Sequence, residues 1–400
     1  MNVNFKELLS SVSDALDFVE SDIFGLEKNH GKHVAYIAAR MGIHAGLSEI
    51  EISNLIACGL LHDNALTTFP EGKYTRDEIL TSPEMATHCI DGEHNIMKLP
   101  FYPQVKNVIL YHHEKGDGTG IFGKNWRETP YFSRLIHLAD IIDIVFYSKD
   151  SPQEDRHNLA REFLEKRKNT VFDLETSYLF SLCLEEGILE HMDSNNAHEL
   201  IDEGFLDRIE NYGYNEIINI GSIFSKIVDY KSSFTRMHSS GIAEKSLQMA
   251  KFYNWDEETQ AKYYLAGALH DIGKLAVKTS VLEKPGKLTD EEFNHIKNHA
   301  QITWQVLHRI HGFEDITEWA SNHHERLDGS GYPNGKTAKD LSFKDRLLAC
   351  IDVYQALREN RPYRPGMTHE RAMSIINDEV AKGKLDEKCA QDIDFVLKNS

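Results

Sequence analysis

Apolar residues recur at three- and four-residue steps along most of the chain, which is the pattern of helices that bury one face. The clearest segments are VKNVILYHHE, AKYYLAGALHDIGKL and DRLLACIDVYQAL, which begin at positions 105, 261 and 345. Alternation of apolar and polar residues, the pattern of half-buried strands, is scarce, and no glycine-rich phosphate loop follows a predicted strand. The hydrophobic pattern therefore predicts an all-α protein.

The chain also repeats itself, because five segments of its C-terminal half have counterparts in the same order in its N-terminal half. The segments GLLHDNALT and GALHDIGKL pair His62 and Asp63 with His270 and Asp271. The other pairs, at a nearly constant separation along the chain, are His33 with His238, His88 with His299, His112 with His323, and Asp140 with Asp352. Coincidence would match one pair, but five pairs in order indicate an internal duplication.

The length of 400 residues agrees with two domains, since single cores rarely grow beyond about 250 to 300 residues. The polar tract DSNN, which begins at Asp193, is typical of a connection between domains. We therefore expect a first helical domain over residues 1–195 and a second over residues 196–400.

Composition narrows the choice of partners and compartment. The formal net charge of −19 argues against a nucleic-acid polymer, although a metal cluster would still let the chain bind a small anionic substrate. The five cysteines are scattered without a CxxC pair, which is typical of reduced thiols in a cytoplasm. No stretch reaches about 18 apolar residues and the first twenty residues do not resemble a signal peptide. We expect a cytoplasmic protein that does not enter a membrane.

Seven residues of metal-ligating type come from several predicted helices of the C-terminal half. They are His238, His270, Asp271, His299, His323, His324 and Asp352. A mixed histidine and aspartate set suits Fe, Mn, Zn, Co or Ni better than Ca or Mg, and the lack of cysteine ligands argues against a structural zinc site. A single histidine is more often a packing residue, but the ordered set as a whole points to metal binding.

A pair of metals favours hydrolysis of a phosphoester, because it activates a shared water and binds a phosphoryl oxygen. His270 and Asp271 are neighbours at the end of an apolar helix, so their side chains point about 100 degrees apart, and the carboxylate can bridge two cations. Lys274 follows one turn after His270 on the same face, where its ammonium group can contact a phosphate.

These residues and their surroundings resemble the HD-GYP family, a branch of the HD superfamily of metal-dependent phosphohydrolases. The match spans about residues 217–398 and includes LHDIGK, VLEKPGKLTDEEFNHIKNH, HHERLDGSGYP and IDVYQALRENRPYR. The resemblance implies an all-helical domain with a bi- or trinuclear iron or manganese centre. It also implies hydrolysis of a cyclic dinucleotide, either cyclic di-GMP or 3',3'-cGAMP, to a linear 5'-phosphorylated dinucleotide.

Carried over by position, the resemblance implies that the same seven residues ligate the metals, with Asp271 as the bridge. It implies that Lys274 contacts the scissile phosphate. It further implies substrate contacts by a loop and by two arginines, which are Gly331, Tyr332, Pro333, Arg361 and Arg364; simple solvent exposure is the alternative for the arginines. Trinuclear members carry a glutamate where this sequence has Phe234, so we expect two metals.

The N-terminal half is similar to the same family but has lost part of the motif. It keeps seven residues of ligand type, which predict a second metal site: His33, His62, Asp63, His88, His112, His113 and Asp140. The lysine position holds Leu66, and the Gly-Tyr-Pro position reads Gly120, Ile121 and Phe122. We predict a regulatory domain without catalysis, and the alternative is a copy kept for packing and for a homodimer interface.

Two other functions compete with the phosphodiesterase. One is a receptor that binds a cyclic dinucleotide without cleaving it, and the presence of Lys274 argues against it. The other is an HD phosphohydrolase that acts on a deoxynucleoside triphosphate or an alarmone, and the intact DGSGYP segment argues against that.

Overall fold

The computed structural model divides the chain into two compact units. It describes residues 1–24, 29–66, 82–99, 102–147, 155–194, 201, 209–231, 237–284, 286–360 and 365–398. The first unit runs from Asn4 to Ile209, and the second consists of Glu210–Ser400 together with Met1–Val3. The sequence analysis placed the division at residue 195 instead. The assignment of a regulatory role to one part and catalysis to the other stays a prediction.

The first unit is built from helices. They are α1 (Phe5–Phe24), α2 (His30–His44), α3 (Glu49–Leu60), α4 (Pro83–Ile96), α5 (Tyr131–Phe146), α6 (Arg156–Glu165), α7 (Leu174–Glu185) and α8 (Ile188–Ser194), with a 3₁₀ turn at Tyr102–Gln104. Ser48 and Glu51 form a capping box that begins α3, and the Asp173 carboxylate accepts from the first backbone N–H groups of α7.

The second unit is also built from helices. Its helices are α9 (Tyr214–Asp229), α10 (His238–Phe252), α11 (Glu257–Leu269), α12 (Thr279–Leu282), α13 (Asp290–Leu307), α14 (Glu314–Ser321), α15 (Phe343–Arg358), α16 (His369–Ala381) and α17 (Glu387–Val396), with a 3₁₀ turn at Ile272–Ala276. Capping boxes begin α13, at Thr289 and Glu292, and α15, at Ser342 and Asp345. The strands of the described residues form one two-stranded sheet, β1 (Asn2–Asn4) with β2 (Ile209–Asn211).

The predicted all-α fold with an internal duplication is confirmed. Helices α2 and α10 are both 15 residues long and begin at His30 and His238. Helices α5 and α15 are both 16 residues long and carry Asp140 and Asp352 at the same turn, ten positions into each helix. None of the helices described is long and apolar enough to cross a membrane.

The two units also share one tight helix crossing. In the first unit a Cβ on Gly59 would lie 2.7 Å from Ala35 Cα, and in the second a Cβ on Gly267 would lie 3.0 Å from Ala243 Cα. Only glycine lets these backbones approach so closely. The crossing fixes the end of α3 or α11 against α2 or α10, and the His-Asp pair of each unit follows directly after that end.

Candidate metal centre

The Asp271 carboxylate lies at the middle of the candidate site in the second unit and is 1% exposed. Its Oδ2 lies 3.1 Å from His270 Nε2 and 3.7 Å from His238 Nε2. Its Oδ1 lies 3.3 Å from His299 Nε2 and 3.7 Å from His323 Nε2. The two oxygens therefore face two different pairs of imidazoles, which is the arrangement that a carboxylate bridging two cations requires.

Asp352, on α15, completes the cluster from the opposite side. Its Oδ1 lies 3.3 Å from His238 Nε2, and its Oδ2 lies 3.5 Å from His324 Nδ1. Three groups have all their ligand atoms within 4.8 Å of one another, and these are His238 with His270 and Asp352, His270 with Asp271 and His323, and His299 with His323 and His324. The structure thus brings together all seven residues that the sequence singled out in this half.

Hydrogen bonds to the backbone orient three of the imidazoles. Each donates its Nδ1–H to the carbonyl oxygen three residues earlier: His270 to Gly267 at 2.8 Å, His299 to Ile296 at 2.6 Å, and His323 to Ala320 at 2.5 Å. The bond fixes the tautomer, since a carbonyl only accepts, and it leaves Nε2 with a lone pair directed at the cluster. Imidazoles held in this way are ready to ligate a metal.

Burial lowers the pKa of three imidazoles in the cluster. Desolvation lowers the pKa of His299 to about 4, and it holds the pKa values of His323 and His324 well below the usual range. Burial alone would raise the pKa of Asp271, but its interactions with His270 and with the ammonium group of Lys274 outweigh that effect and hold the pKa well below the usual range. The site therefore offers neutral nitrogen donors and an ionised carboxylate.

His238 differs from these imidazoles, because two carboxylates raise its pKa. Burial would lower its pKa, but hydrogen bonds to Asp352 and Glu359 raise the pKa of His238 to about 10. Glu359 Oε2 lies 3.1 Å from His238 Nδ1. The sequence analysis missed Glu359, although it follows Asp352 by two helical turns, a spacing that places both on one helical face.

Unsatisfied polar atoms test whether this site suits a metal. His270 Nε2 and Asp271 Oδ1 are buried, and among the described residues neither has a hydrogen-bond partner. Buried polar atoms without partners are destabilising, and a divalent cation would coordinate both of these. The donor set of imidazoles and carboxylates suits a divalent transition metal.

Lys274 lies in the 3₁₀ turn after α11, beside the centre. Its Nζ is 2.5 Å from Asp271 Oδ2, and its side chain is partly exposed. A buried carboxylate thus draws the ammonium group to the edge of the cluster, where it also meets solvent. An ammonium group at this position can contact an anionic group that comes to the cluster.

The Gly-Tyr-Pro loop lies against the same cluster. The Tyr332 ring centroid is 4.7 Å from that of His324, and the Tyr332 N–H donates to the His324 carbonyl at 3.3 Å. A Cβ on Gly331 would lie 2.5 Å from Glu325 Cα, so this position needs glycine. Pro333 follows through a cis peptide bond.

The buried Glu325 holds that loop in place, because its carboxylate accepts from the backbone N–H groups of Asn334 at 2.8 Å and Lys336 at 2.9 Å. The sequence analysis gave Glu325 no role. Arg361, Arg364 and Phe234, which it discussed, lie outside the described residues. The substrate contacts of both arginines therefore stay predictions.

The first unit reproduces the central carboxylate. Asp63 Oδ1 lies 3.1 Å from His88 Nε2 and 3.7 Å from His112 Nε2, while Oδ2 lies 3.4 Å from His62 Nε2. His113 Nδ1 lies 3.8 Å from an oxygen of Asp140. Leu66, which is fully buried, stands at the position that corresponds to Lys274 and carries no charge.

The structure corrects one equivalence drawn from the sequence. His30, not His33, begins α2 as His238 begins α10, and His30 shares a group of close ligand atoms with His62 and Asp140. His33 lies one turn further along α2, and its Nδ1 is 2.7 Å from Asp143 Oδ1. The sequence carried a signal for this equivalence. His30 is as far from His238 along the chain as His62 is from His270, and His33 is not.

The first unit also buries carboxylates that the sequence analysis missed. Asp143 Oδ2 lies 2.6 Å from His30 Nδ1, and Glu20 on α1 is 2% exposed. Desolvation raises the pKa of Glu20 well above its usual range. Their signal in the sequence is weak, since acidic residues on an amphipathic helix are usually solvated.

Models of a family described as HD domain match residues 222–389 and residues 28–145. The chain is 33% identical over 413 residues to 3'3'-cGAMP-specific phosphodiesterase 1 of Vibrio cholerae, with 100% of this chain and 92% of that protein covered. A cyclic di-GMP phosphodiesterase of Pseudomonas aeruginosa is 32% identical over 185 residues, 46% of this chain and 42% of that one. The crystal structure of a cyclic GMP-AMP specific phosphodiesterase from V. cholerae matches with a TM-score of 0.68 at 23% identity, over 100% of this chain and 99% of that chain.

Proposed function

We propose, because this chain belongs to the HD-GYP family of HD-domain phosphodiesterases, that its second unit is a metal-dependent enzyme that hydrolyses a cyclic dinucleotide. The family predicted from the motifs is thereby confirmed. The observation that carries the proposal is the Asp271 carboxylate, whose two oxygens face two pairs of imidazoles while Lys274 lies beside it. The product is a linear dinucleotide with a 5' phosphate.

The residues of the second unit would divide the work as follows. The seven ligand residues hold two divalent metals, which when bound supply an activated water and a clamp for a phosphoryl oxygen. Lys274 neutralises charge on the phosphoryl group. The ring of Tyr332, packed on His324, forms a wall of the site on which part of the substrate can rest.

Iron or manganese is the metal that we propose, with nickel, cobalt and zinc as the alternatives that the same ligands allow. Two metals fit the two carboxylate oxygens of Asp271, which face different pairs of imidazoles. Phe234 cannot supply a ligand for a third metal. Metal analysis of protein purified without chelator tests the count, provided that the second unit is counted separately from the first. A stoichiometry of three in the second unit contradicts it.

The choice of substrate is tested by incubation with cyclic di-GMP, 3',3'-cGAMP, a deoxynucleoside triphosphate and an alarmone, each with Mn²⁺ or Fe²⁺, followed by chromatography. We expect cleavage of a cyclic dinucleotide, and we expect Asp271→Asn to abolish it. The full-length similarity to a relative named as 3'3'-cGAMP-specific favours that nucleotide. Binding without cleavage would favour a receptor, and cleavage of only the other two nucleotides would favour a different phosphohydrolase.

The first unit, in our proposal, tunes the second without catalysis of its own. The first unit keeps the central carboxylate Asp63 and its imidazoles, but Leu66 stands at the position that corresponds to Lys274. Buried charges without a ligand are costly, so a unit kept only for packing would be at least as stable with apolar residues there. The predicted homodimer stays a prediction.

The test of this regulatory role uses the full chain. His62→Ala combined with Asp63→Ala should change the rate or the nucleotide affinity of the second unit while the protein stays folded by circular dichroism. A folded double variant with unchanged kinetics would leave packing as the role of the first unit. Phosphodiesterase activity that persists in Asp271→Asn would mean that the first unit is itself catalytic.

A further inference from the structure

Cys89 distinguishes the metal-ligating residues of the first unit from those of the second. It follows His88 on α4, and the corresponding position after His299 on α13 is Ala300. Both side chains are fully buried. At this helical position the first unit therefore has a thiol and the second unit has none.

The thiol belongs to a compact group of potential ligands. The sulfur of Cys89 and ring nitrogens of His88, His112 and His113 all lie within 4.8 Å of one another. The His112 Nδ1–H donates to the Ile109 carbonyl at 2.6 Å, which leaves the Nε2 lone pair for a metal. Among the described residues no other cysteine belongs to such a group.

Four donor atoms at this separation can coordinate one small cation. A tetrahedral zinc site has Zn–N distances of about 2.0 to 2.1 Å and a Zn–S distance of about 2.3 Å, so its ligand atoms lie roughly 3 to 4 Å apart. Small side-chain rotations would bring the group to that size. Adding a thiolate also changes the preference for metals, because soft sulfur ligands favour zinc over manganese.

We propose that His88, Cys89, His112 and His113 form a thiolate-containing metal site in the first unit, and that this site takes Zn²⁺ rather than the metal of the second unit. Binding displaces the thiol proton to solvent and forms one Zn–S bond. The second unit cannot form such a site, because Ala300 has no donor atom. The two units of one chain would then hold different metals.

A packing role for Cys89 is the alternative, since a buried free cysteine often behaves as a small apolar residue. Ala300 shows that an apolar side chain suffices at this helical position in the second unit. Packing alone would therefore not select a sulfur atom within reach of three imidazoles. It predicts that metal binding is the same with or without the thiol.

Cobalt spectroscopy of the full chain separates the two readings, because a cobalt–thiolate bond gives charge-transfer absorption in the near ultraviolet that nitrogen and oxygen ligands do not give. We expect this band in the wild type loaded with Co²⁺, and we expect Cys89→Ala to remove it. Cys58→Ala is the matched control, a buried cysteine of the same unit outside any such group, and it should keep the band. A wild type without the band, or a band that survives Cys89→Ala, overturns the proposal.

A second measurement needs no variant, so it decides the question even if Cys89→Ala fails to fold. X-ray absorption of the wild type saturated with Zn²⁺, so that both units are loaded, should show a sulfur neighbour at about 2.3 Å beside nitrogen and oxygen neighbours. A shell of nitrogen and oxygen alone overturns the proposal. Neither readout depends on phosphodiesterase activity, so a failure here leaves the proposed function of the second unit intact.

Discussion

A single lysine is the sharpest difference in chemistry between the two units. Lys274→Ala removes the ammonium group beside Asp271, and because that group ligates no metal, metal content should stay unchanged. Turnover should fall by a factor of roughly 10² to 10³, the usual effect of losing one charge-stabilising contact. Metal analysis and steady-state kinetics on the same preparation check both parts.

Lys278→Ala is the matched control, since Lys278 is an exposed lysine one turn further along the chain. It should behave as the wild type. Hydrolysis by Lys274→Ala at the rate of the Lys278→Ala variant would show that the lysine has no part in the reaction.

Glu359 contacts His238, and we expect it to act on the site through that ring. Glu359→Gln removes the charged partner of His238 Nδ1, so the ring is held less firmly and becomes a weaker ligand. We expect metal affinity to fall about 10- to 100-fold, the usual loss when such a partner is removed. Competition with a chelator measures it, and activity at saturating metal should recover most of the wild-type value.

The exposed Glu370 provides the comparison, and Glu370→Gln should leave metal affinity unchanged. Equal affinities for the two variants would mean that the bond between Glu359 and His238 contributes nothing to metal binding.

Residue types and order were enough to predict which seven residues come together in the second unit. The motifs alone did not give His30 or Glu359, because the contacts that define them, with Asp140 and with His238, join residues that are distant in the sequence. His33 looked equivalent to His238 when the two halves of the sequence were compared. It lies one turn too far along α2, and Asp143 holds its ring instead.

At the scale of elements, the approach of the 3₁₀ turn to α13 sets the size of the metal cluster. Gly273 makes this approach possible, because a Cβ there would lie 2.0 Å from the His299 carbonyl oxygen. Gly273→Ala should therefore push His299 away from Asp271. We expect a loss of at least about 1 to 3 kcal/mol in the free energy of unfolding, as overpacking typically costs, and weaker metal binding.

Gly213→Ala is the control, since a Cβ at Gly213 would meet its nearest atom at 3.5 Å. Urea denaturation of both variants measures the difference. If Gly273→Ala is as stable as Gly213→Ala and retains its metals, the contact does not set the geometry.

Periodicity predicted that these elements are helices but not how closely they approach. The first unit has Ala65 at the position of Gly273, so the same helical pattern does not require a glycine there. The same region of the first unit is held by a hydrogen bond between two amide side chains, in which Asn95 Nδ2 donates to Asn64 Oδ1 at 2.9 Å. Hydrophobic patterns identify the buried face of a helix, whereas its distance from a neighbour depends on single side chains.

At the scale of the molecule, the first three residues belong to the second unit. Val3 is 1% exposed on β1, and a Cβ on Gly312 would lie 2.8 Å from the Asn2 carbonyl oxygen. Val3→Asp would bury an unpaired charge there, which is strongly destabilising. We expect residues 210–400 to lose amide-exchange protection, while helices α2 to α5 of the first unit keep theirs.

Asn2→Asp adds the same charge on the exposed side of the strand and should change protection little. Equal loss of protection in both units after Val3→Asp would show that β1 is not specific to the second.

The duplication itself was predictable from ordered motifs. The pairing of β1 with β2 was not, because strands this short carry no periodic signal and the whole first unit separates them along the chain.

This pairing gives the chain an order of assembly. During synthesis β1 leaves the ribosome before the first unit, and its partner β2 follows only after the whole first unit has been made. Domains generally fold as they emerge, so the first unit can complete its core while β1 still lacks its partner. In topological terms the first unit is an insertion into the second. A fragment that starts after the first unit would lack a strand and expose the edge of β2 to association with other chains.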